Sequence, residues 1–534
     1  MLRISNLQLR LDDAINEADE INHLKTLVFS KYRIKANEFV QLMIVKKAVD
    51  ARKKSNVHFV YTIDVIVKNE NKYLKKSRKN ISKSPDLSYQ SVESGSETLA
   101  HRPVIVGFGP SGIFSALLLA RRGYRPLVLE RGLDVQKRTK EWQHFVHTGE
   151  FNEHASNLFG EGGAGTFSDG KLTTSIKNLR CRFVLEELIN AGANPDILYL
   201  SKPHVGTDVL KRVIKNIREE IISLGGDIRF ESKVTDFEII DNTLQAVIVN
   251  DEERIVTNVC LLGIGHSARD TFDVLFNRGV HIEQKPFAVG VRIEHNQSMI
   301  NKSQYGDFHD HPALGAADYK LSYHSKNGRS AYTFCMCPGG FVVNSSSEEK
   351  GIVTNGMSYS ARDGKNANAA LLVNVTPDDF PSDHPLAGIE FQRQFEQLAF
   401  DIAGKNYHYP LQCVGDFLKD QNSKAIGSVK PTIQPGYSFV KMQDIYPSYI
   451  TNTLKEALVY FDKRIKGYAS DDAILTGPET RSSSPVKLIR NNRHEAPIKG
   501  LYPMGEGAGY AGGIMSAAVD GMKTAESIIK QFRI

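Results

Sequence analysis

Residues 103–130 read PVIVGFGPSGIFSALLLARRGYRPLVLE, and this stretch decides the fold. The apolar run Pro103–Val106 predicts a strand. Gly107, Gly109 and Gly112 follow at G-x-G-x-x-G spacing, then a helix from Gly112 to Arg122 and a second strand from Pro126 to Leu129. Each glycine has a physical reason. Gly107 permits the tight turn, Gly109 lets backbone approach a pyrophosphate, and Gly112 lets helix and strand pack closely. Pro110 and Ser111 open the helix, whose free N–H groups and partial positive charge favour a phosphate. Glu130 ends the second strand about 20 residues on, where an acid can hold ribose hydroxyls. Strand, turn, helix, strand and acid in this order are the context that makes the motif specific.

Working outward, residues 76–100 are polar and Lys/Ser-rich and read as a linker. Before it, alternation at 2–10, helical spacing from Ala14 to Phe29, and strand-like runs at 39–49 and 57–67 predict a small α+β domain, ferredoxin-like in order, over residues 1–75. After Glu130 a helix is expected at 206–224 and successive strands at 227–262, with a turn at Asp241–Asn242. Residues 101–284 thus form the first part of a Rossmann-type domain. Residues 285–490 are an inserted mixed α+β substrate or cap domain, and 491–534 are the C-terminal return, closed by a helix at 516–531. The fold class is α/β with these two additions.

The 534 residues are 41% hydrophobic and 24% charged, ordinary values for globular chains. Met1–Glu20 carries acids and no signal-like apolar core, and no window offers the ~18 apolar residues of a membrane span. A cytoplasmic protein without membrane attachment is expected. Five cysteines are too few for a disulfide framework and show no zinc spacing, so no metal is expected. The net charge is +6; residues 1–100 hold 18 Lys+Arg against 12 Asp+Glu, so the whole excess sits there. With Arg52, Lys53 and Lys54 in one turn, RNA docking by this region is an alternative reading; a solvated basic surface is the simpler one.

Two later glycine segments bear on which dinucleotide binds. Cys260-Leu-Leu-Gly263-Ile-Gly265-His266 is a glycine turn ending a strand; it also passes for a degenerate NAD(P) site. Gly500–Gly507 is followed by Gly509-Tyr510-Ala-Gly512-Gly513-Ile514 and a helix. Together with Phe159–Lys171, Gly265–Asp270, Met504–Gly513 and Ile44–Lys54, they make the chain resemble a group of uncharacterised bacterial FAD-dependent dehydrogenases with the glutathione-reductase-type FAD fold. The resemblance spans nearly the whole chain. It implies bound FAD and redox activity and supplies no substrate. It places Gly160, Gly162, Gly163, Ala164 and Gly165 along the cofactor, and Gly505, Glu506, Gly512, Gly513 and Ile514 at the ribitol and flavin. Glu506 stands where most such proteins have Asp. Arg131 and Arg138 are expected at adenosine or phosphate, Val234 at adenine, and Gly265 at the crossing back.

FAD carries the redox chemistry and side chains tune it. His266 is a candidate acid or base. Cys335 and Cys337 are a candidate redox pair, with small apolar core residues as the competing explanation. Tyr510 is expected to line the flavin pocket. The expected partner is an unidentified small-molecule substrate, with a nicotinamide, NAD(P)H, docking transiently at most.

Overall fold

A computed structural model describes residues 1–75, 80–153 and 156–534. Its centre is a five-stranded, all-parallel sheet in the order Leu501–Pro503, Cys260–Leu262, Val104–Val106, Leu127–Leu129, Asp227–Arg229. The VIV, LVL and CLL strands are buried throughout. Continuous apolar strands of this kind belong to parallel sheets covered on both faces. The helices Pro110–Arg121 and Ile514–Gln531 pack so tightly on one another that a Cβ on Gly521 would lie 2.1 Å from the Ser111 carbonyl oxygen. Both helices begin two residues before the predicted start. An antiparallel meander, Val234–Ile240, Thr243–Val249 and Glu253–Val256, stands beside the sheet. Asp241 and Asn242 turn its first hairpin with φ of 48° and 57°, the double left-handed geometry that favours such residues.

The chain leaves through Ile282–Gln284 and comes back through Val486–Leu488, which pair antiparallel. Between them lies a seven-stranded sheet in the order 322–324, 330–337, 366–375, 287–296, 474–479, 409–413, 437–439. Val289, Val291, Ile293, Leu371 and Val373 share one core with Phe391, Phe395, Leu454 and Phe461 from the helices Ala387–Ile402 and Ser448–Asp462. By strand alternation Ala288 and Arg292 fall on the opposite face.

The small N-terminal sheet runs Phe39–Asp50, His58–Val67, Leu2–Arg10, Ile81–Lys83, antiparallel throughout. The helix Glu17–Tyr32 starts three residues later than expected, because Leu11–Ala14 forms a 3-10 turn and Asn16 caps the helix by accepting from the Asp19 amide. Leu24, Val28 and Tyr32 are its buried apolar positions, with Glu20 buried one turn before them.

The expected linker differs most from its reading. Residues 76–79 lie outside the described residues, but Ile81–Lys83 is the fourth strand of the N-terminal sheet. Farther on, Tyr89, Val92 and Leu99 pack on the core of the parallel-sheet domain. Gly95 donates to the Ile529 carbonyl at 2.8 Å, and Glu97–Thr98 pairs with Phe532–Arg533. Composition averaged these spaced apolar residues into their polar neighbours. The basic turn is also partly engaged: Arg52 pairs with Asp50, and Lys54 Nζ donates to the Gln304 carbonyl. Among the described residues no helix is long and apolar enough to cross a membrane.

Candidate functional site

Three glycine segments far apart in sequence meet around one cavity of about 1390 Å³. A Cβ on Gly107 would sit 2.4 Å from the Gly263 carbonyl oxygen, one on Gly507 2.5 Å from that of Gly265, and one on Gly505 2.6 Å from Ser111 Oγ. Gly107 itself has φ +96°, which turns the chain from strand to helix. Gly109 is the N-cap and Pro110 sits in the first turn, leaving the amides of Ser111 and Gly112 without intrahelical acceptors. The last helix presents a second N-terminus at Gly513, and Gly512, Gly513 and Ile514 line the same cavity.

The second strand delivers Glu130, which is buried in the cavity wall. Its Oε2 accepts from the Phe108 amide at 2.7 Å, and its Oε1 from the amides of Gly132 and Gly160 at 2.9 and 2.8 Å. A carboxylate has about four acceptor positions, so one remains for a hydroxyl. The loop behind it is clamped from below by Arg138, which donates to the carbonyls of Glu161, Gly163 and Asn157. Arg138 does not line the cavity. The expected contact to adenosine or phosphate is therefore corrected: both Nη atoms of this guanidinium go to loop carbonyls, and its Nε is buried away from the cavity. Arg131 does line it, held by Asp270 at 2.8 and 3.1 Å and lying over the Phe159 ring.

Of the other expected residues, Gly163, Ala164, Gly165, Val234, Gly265, His266, Cys335, Glu506 and Tyr510 line the cavity. Gly112, Gly162, Gly505 and Cys337 stand behind it. Gly112 is there because a Cβ would come within 2.0 Å of the Gly107 carbonyl oxygen. The Gly505 amide donates to Asp520 at 2.7 Å. Gly162 packs against Thr166 and Ile214, and Cys337 is fully buried.

The opposite wall comes from the seven-stranded sheet and its neighbours, of which sequence reasoning reached only Cys335. Asp169 is gripped by Arg362 through two hydrogen bonds, with Lys171 beside it. Glu479 pairs with the wholly buried Arg292 at 2.7 and 2.8 Å. Lys285 Nζ donates to Ser483 Oγ at 2.9 Å and lies near Glu506. Asp169 and Lys171 did fall within the quoted 159–171 loop; the others carry no local signal. Farther back, Glu396 is held by both Arg269 and Arg481.

Burial, together with Arg481 and Arg269, pushes His266 down to about 4, so the imidazole is neutral near pH 7. Its Nδ1 meets Ser267 Oγ at 2.9 Å. Desolvation pushes Glu506 up to about 7. The folded apoprotein therefore holds a proton there that the unfolded chain releases near 4.5, and this cost grows as pH rises through that window and is complete above 7. Glu506→Gln should raise apoprotein stability by ~1–2 kcal/mol at pH 8 and leave it unchanged at pH 4. Chemical denaturation at the two pH values checks this.

The cavity fits a large dinucleotide. It exceeds the ~300–1,000 Å³ of ordinary ligand pockets. A Cβ on Gly265, Gly512 or Gly513 would meet no atom within 4 Å, and one on Gly109 would meet only Gly163 Cα at 3.9 Å. Gly265 and Gly513 have left-handed φ of +74° and +82°, which itself favours glycine, but at Gly109 and Gly512 neither backbone nor packing demands the missing side chain, and two helix N-termini supply anion donors.

A family model described as FAD-dependent protein, C-terminal domain-like, matches residues 286–482. A second, a domain of unknown function (DUF8436), matches residues 1–66. An uncharacterized protein of Clostridium beijerinckii is 51% identical over 534 residues, 99% of each chain. Among solved structures, CtdE in complex with FAD is 12% identical over 80% of this chain and 82% of its own, with a TM-score of 0.30. L-proline dehydrogenase from P. horikoshii is 12% identical over 82% and 92%, with a TM-score of 0.31. Likenesses this distant carry no argument about this chain. The RNA alternative gains no support from any of these matches.

Proposed function

The chain belongs to the same family as the uncharacterized Clostridium beijerinckii protein and carries the FAD-dependent C-terminal domain, and from that membership we propose an oxidoreductase acting on a small molecule held between the parallel-sheet domain and the seven-stranded sheet. When bound, FAD supplies the redox chemistry, a hydride exchanged at its N5. The contact of the three glycine segments around one cavity carries this reading.

The chain's own residues divide the work. The helix start at Gly109–Gly112 and the loop at Gly163–Gly165 would hold the pyrophosphate by N–H donors. Glu130, with an acceptor position free, would take an adenosine ribose hydroxyl, beside Arg131 and the Val234 backbone. Glu506 would take the ribitol chain. The N–H groups at Gly513 and Ile514 would face the flavin edge where negative charge collects, as an oriented helix end favours. His266, neutral and fixed at Nδ1, has Nε2 left to orient a polar group of the substrate. Lys171 and Lys285 would set the charge of the substrate side.

We read residues 1–75 together with the strand Ile81–Lys83 as a ferredoxin-like domain, 101–284 with 491–534 as the FAD domain, and 285–490 as the substrate cap. Protein purified without added cofactor should be yellow and release one FAD per chain on acid treatment, identified by chromatography. Colourless protein that cannot be reconstituted with FAD would remove the reading.

A further inference from the structure

The strand Ser330–Cys337 breaks register where it reaches the cavity. Phe334 faces Ala370 and Cys337 faces Asn368, so Cys335 and Met336 together oppose one residue of the neighbouring strand. That is a β-bulge, a device that re-aims a side chain. Cys335 takes φ +42° within it, a left-handed conformation rare for a residue with a Cβ. Its carbonyl is pinned twice, by Arg292 Nη1 at 3.2 Å and by Cys337 Sγ at 3.3 Å. Arg292 is itself fixed by Glu479 and by Asn368 at 2.7 Å. This support holds Cys335 half-exposed on the cavity wall while Cys337 stays buried behind it.

The groups facing Cys335 come from several elements. They are Lys171 and Asp169 of the glycine loop, Arg292, Glu479, Glu506 and Cys337. The Cys337 thiol, Lys171 and Arg292 hold the Cys335 thiol below its usual range, while Cys337 is raised. Lys171 and Arg292 stand there against Asp169, Glu479 and Glu506, so the charge is mixed; partial exposure beside the two cations and the Cys337 thiol is what separates Cys335 from an inert, buried cysteine.

We propose that Cys335 is a nucleophilic thiolate of this cavity, and that the second ligand is a small disulfide that reacts with it. A two-electron cofactor and a thiolate in one cavity suit a substrate whose own couple is dithiol and disulfide. The Cys335 sulfur attacks one sulfur of R–S–S–R′. The S–S bond breaks as the Cys335–S–S–R bond forms, and R′–S⁻ leaves with the electron pair, with no net oxidation or reduction. Cys337 is a positioning residue: its single S–H donates to the Cys335 carbonyl and turns to the Cys335 sulfur when that sulfur is a thiolate.

This rests on the flavoprotein reading for its substrate and is tested apart from it. FAD-loaded protein is mixed with 5,5′-dithiobis(2-nitrobenzoate), and the released thiolate is followed by stopped flow. One equivalent should react roughly 10-fold faster at pH 7 than the remaining cysteines, the gain left when a thiolate majority replaces a minority and some nucleophilicity is lost. Mass mapping of wild-type protein stopped at one equivalent should place the label on Cys335. Cys335→Ser should lose the fast phase and Cys181→Ser should keep it. Cys337→Ala should keep one equivalent but move its pH midpoint upward. A label on another cysteine, or no fast phase in FAD-loaded wild type, overturns the inference and leaves the flavin reading standing. Protein that takes up no FAD defeats the flavin reading, and the mapped label still decides the fate of Cys335.

Discussion

Gly109→Val protein should fold normally and emerge from purification without FAD, whereas Gly112→Ala should fail by losing stability. Both glycines belong to one motif, but their surroundings differ. A Cβ at 109 meets only Gly163 Cα at 3.9 Å, so the apoprotein tolerates it. The valine methyls would then occupy the space beside the first helical amides, where the pyrophosphate must come close. We expect at least about a 100-fold loss of FAD affinity, ~2.7 kcal/mol. A Cβ at 112 stands 2.0 Å from the Gly107 carbonyl oxygen, inside any tolerable contact. Helix and strand must separate, at ~3 kcal/mol or more. Flavin absorbance per chain and thermal unfolding of the apoproteins separate the two failures. A Gly109→Val protein that stays fully yellow would show that the pyrophosphate does not lie there.

Glu396→Ala should be the most destabilising single change away from the cofactor. Its carboxylate takes hydrogen bonds of 2.8 and 2.9 Å from Arg269, and of 3.0 and 2.7 Å from Arg481. All three side chains are nearly sealed from solvent, at 1%, 2% and 3% exposure. Removing the shared anion leaves two buried guanidinium groups close together, partly compensated by Glu348. Breaking a buried pair in this way costs ~3–5 kcal/mol. For units of this size that is a fall of roughly 6–20 °C in the unfolding midpoint. Arg269 begins a helix of the parallel-sheet domain and Arg481 follows the last central strand of the cap, so the calorimetric transition should also split as the two lose their tie. A shift under 2 °C would mean that solvent reaches the cluster.

The sequence made the nucleotide end of the site legible because its chemistry is local. Gly107, Gly109 and Gly112 must lie within one turn of chain, and Glu130 must end the next strand, so spacing alone exposes them. That Glu506 and Gly513 line the same cavity could be expected only through resemblance, since nothing local says which earlier segment they meet. Most of the facing cavity wall, Cys335 apart, was illegible for the contrary reason. Arg292 and Glu479 are brought together by the pairing of strands 287–296 and 474–479, whereas Asp169 meets Arg362 and Glu396 meets Arg269 only where the seven-stranded unit packs on the parallel-sheet domain, and each reads alone as an ordinary charge. Arg138 shows the reverse error: an arginine just after the fingerprint invites a phosphate, but the loop carbonyls above it claim both of its Nη atoms. The tether at 80–100 was lost to averaging, because Ile81, Tyr89, Val92 and Leu99 each stand among polar residues.

The parallel sheet begins with Val104–Val106 and receives its outermost strand, Leu501–Pro503, only after the entire cap has been made. The helix covering it ends at Gln531, and Phe532–Arg533 then joins Glu97–Thr98. Ribosomes deliver ~5–20 residues per second, so the half-built sheet waits tens of seconds for its closing pieces. During that wait the apolar side of Pro110–Arg121 has no permanent cover. Loss of even the final turn of chain should strand newly made polypeptide with chaperones or in aggregates, while nonsense mutations that spare residues 1–83 leave a unit with its own core.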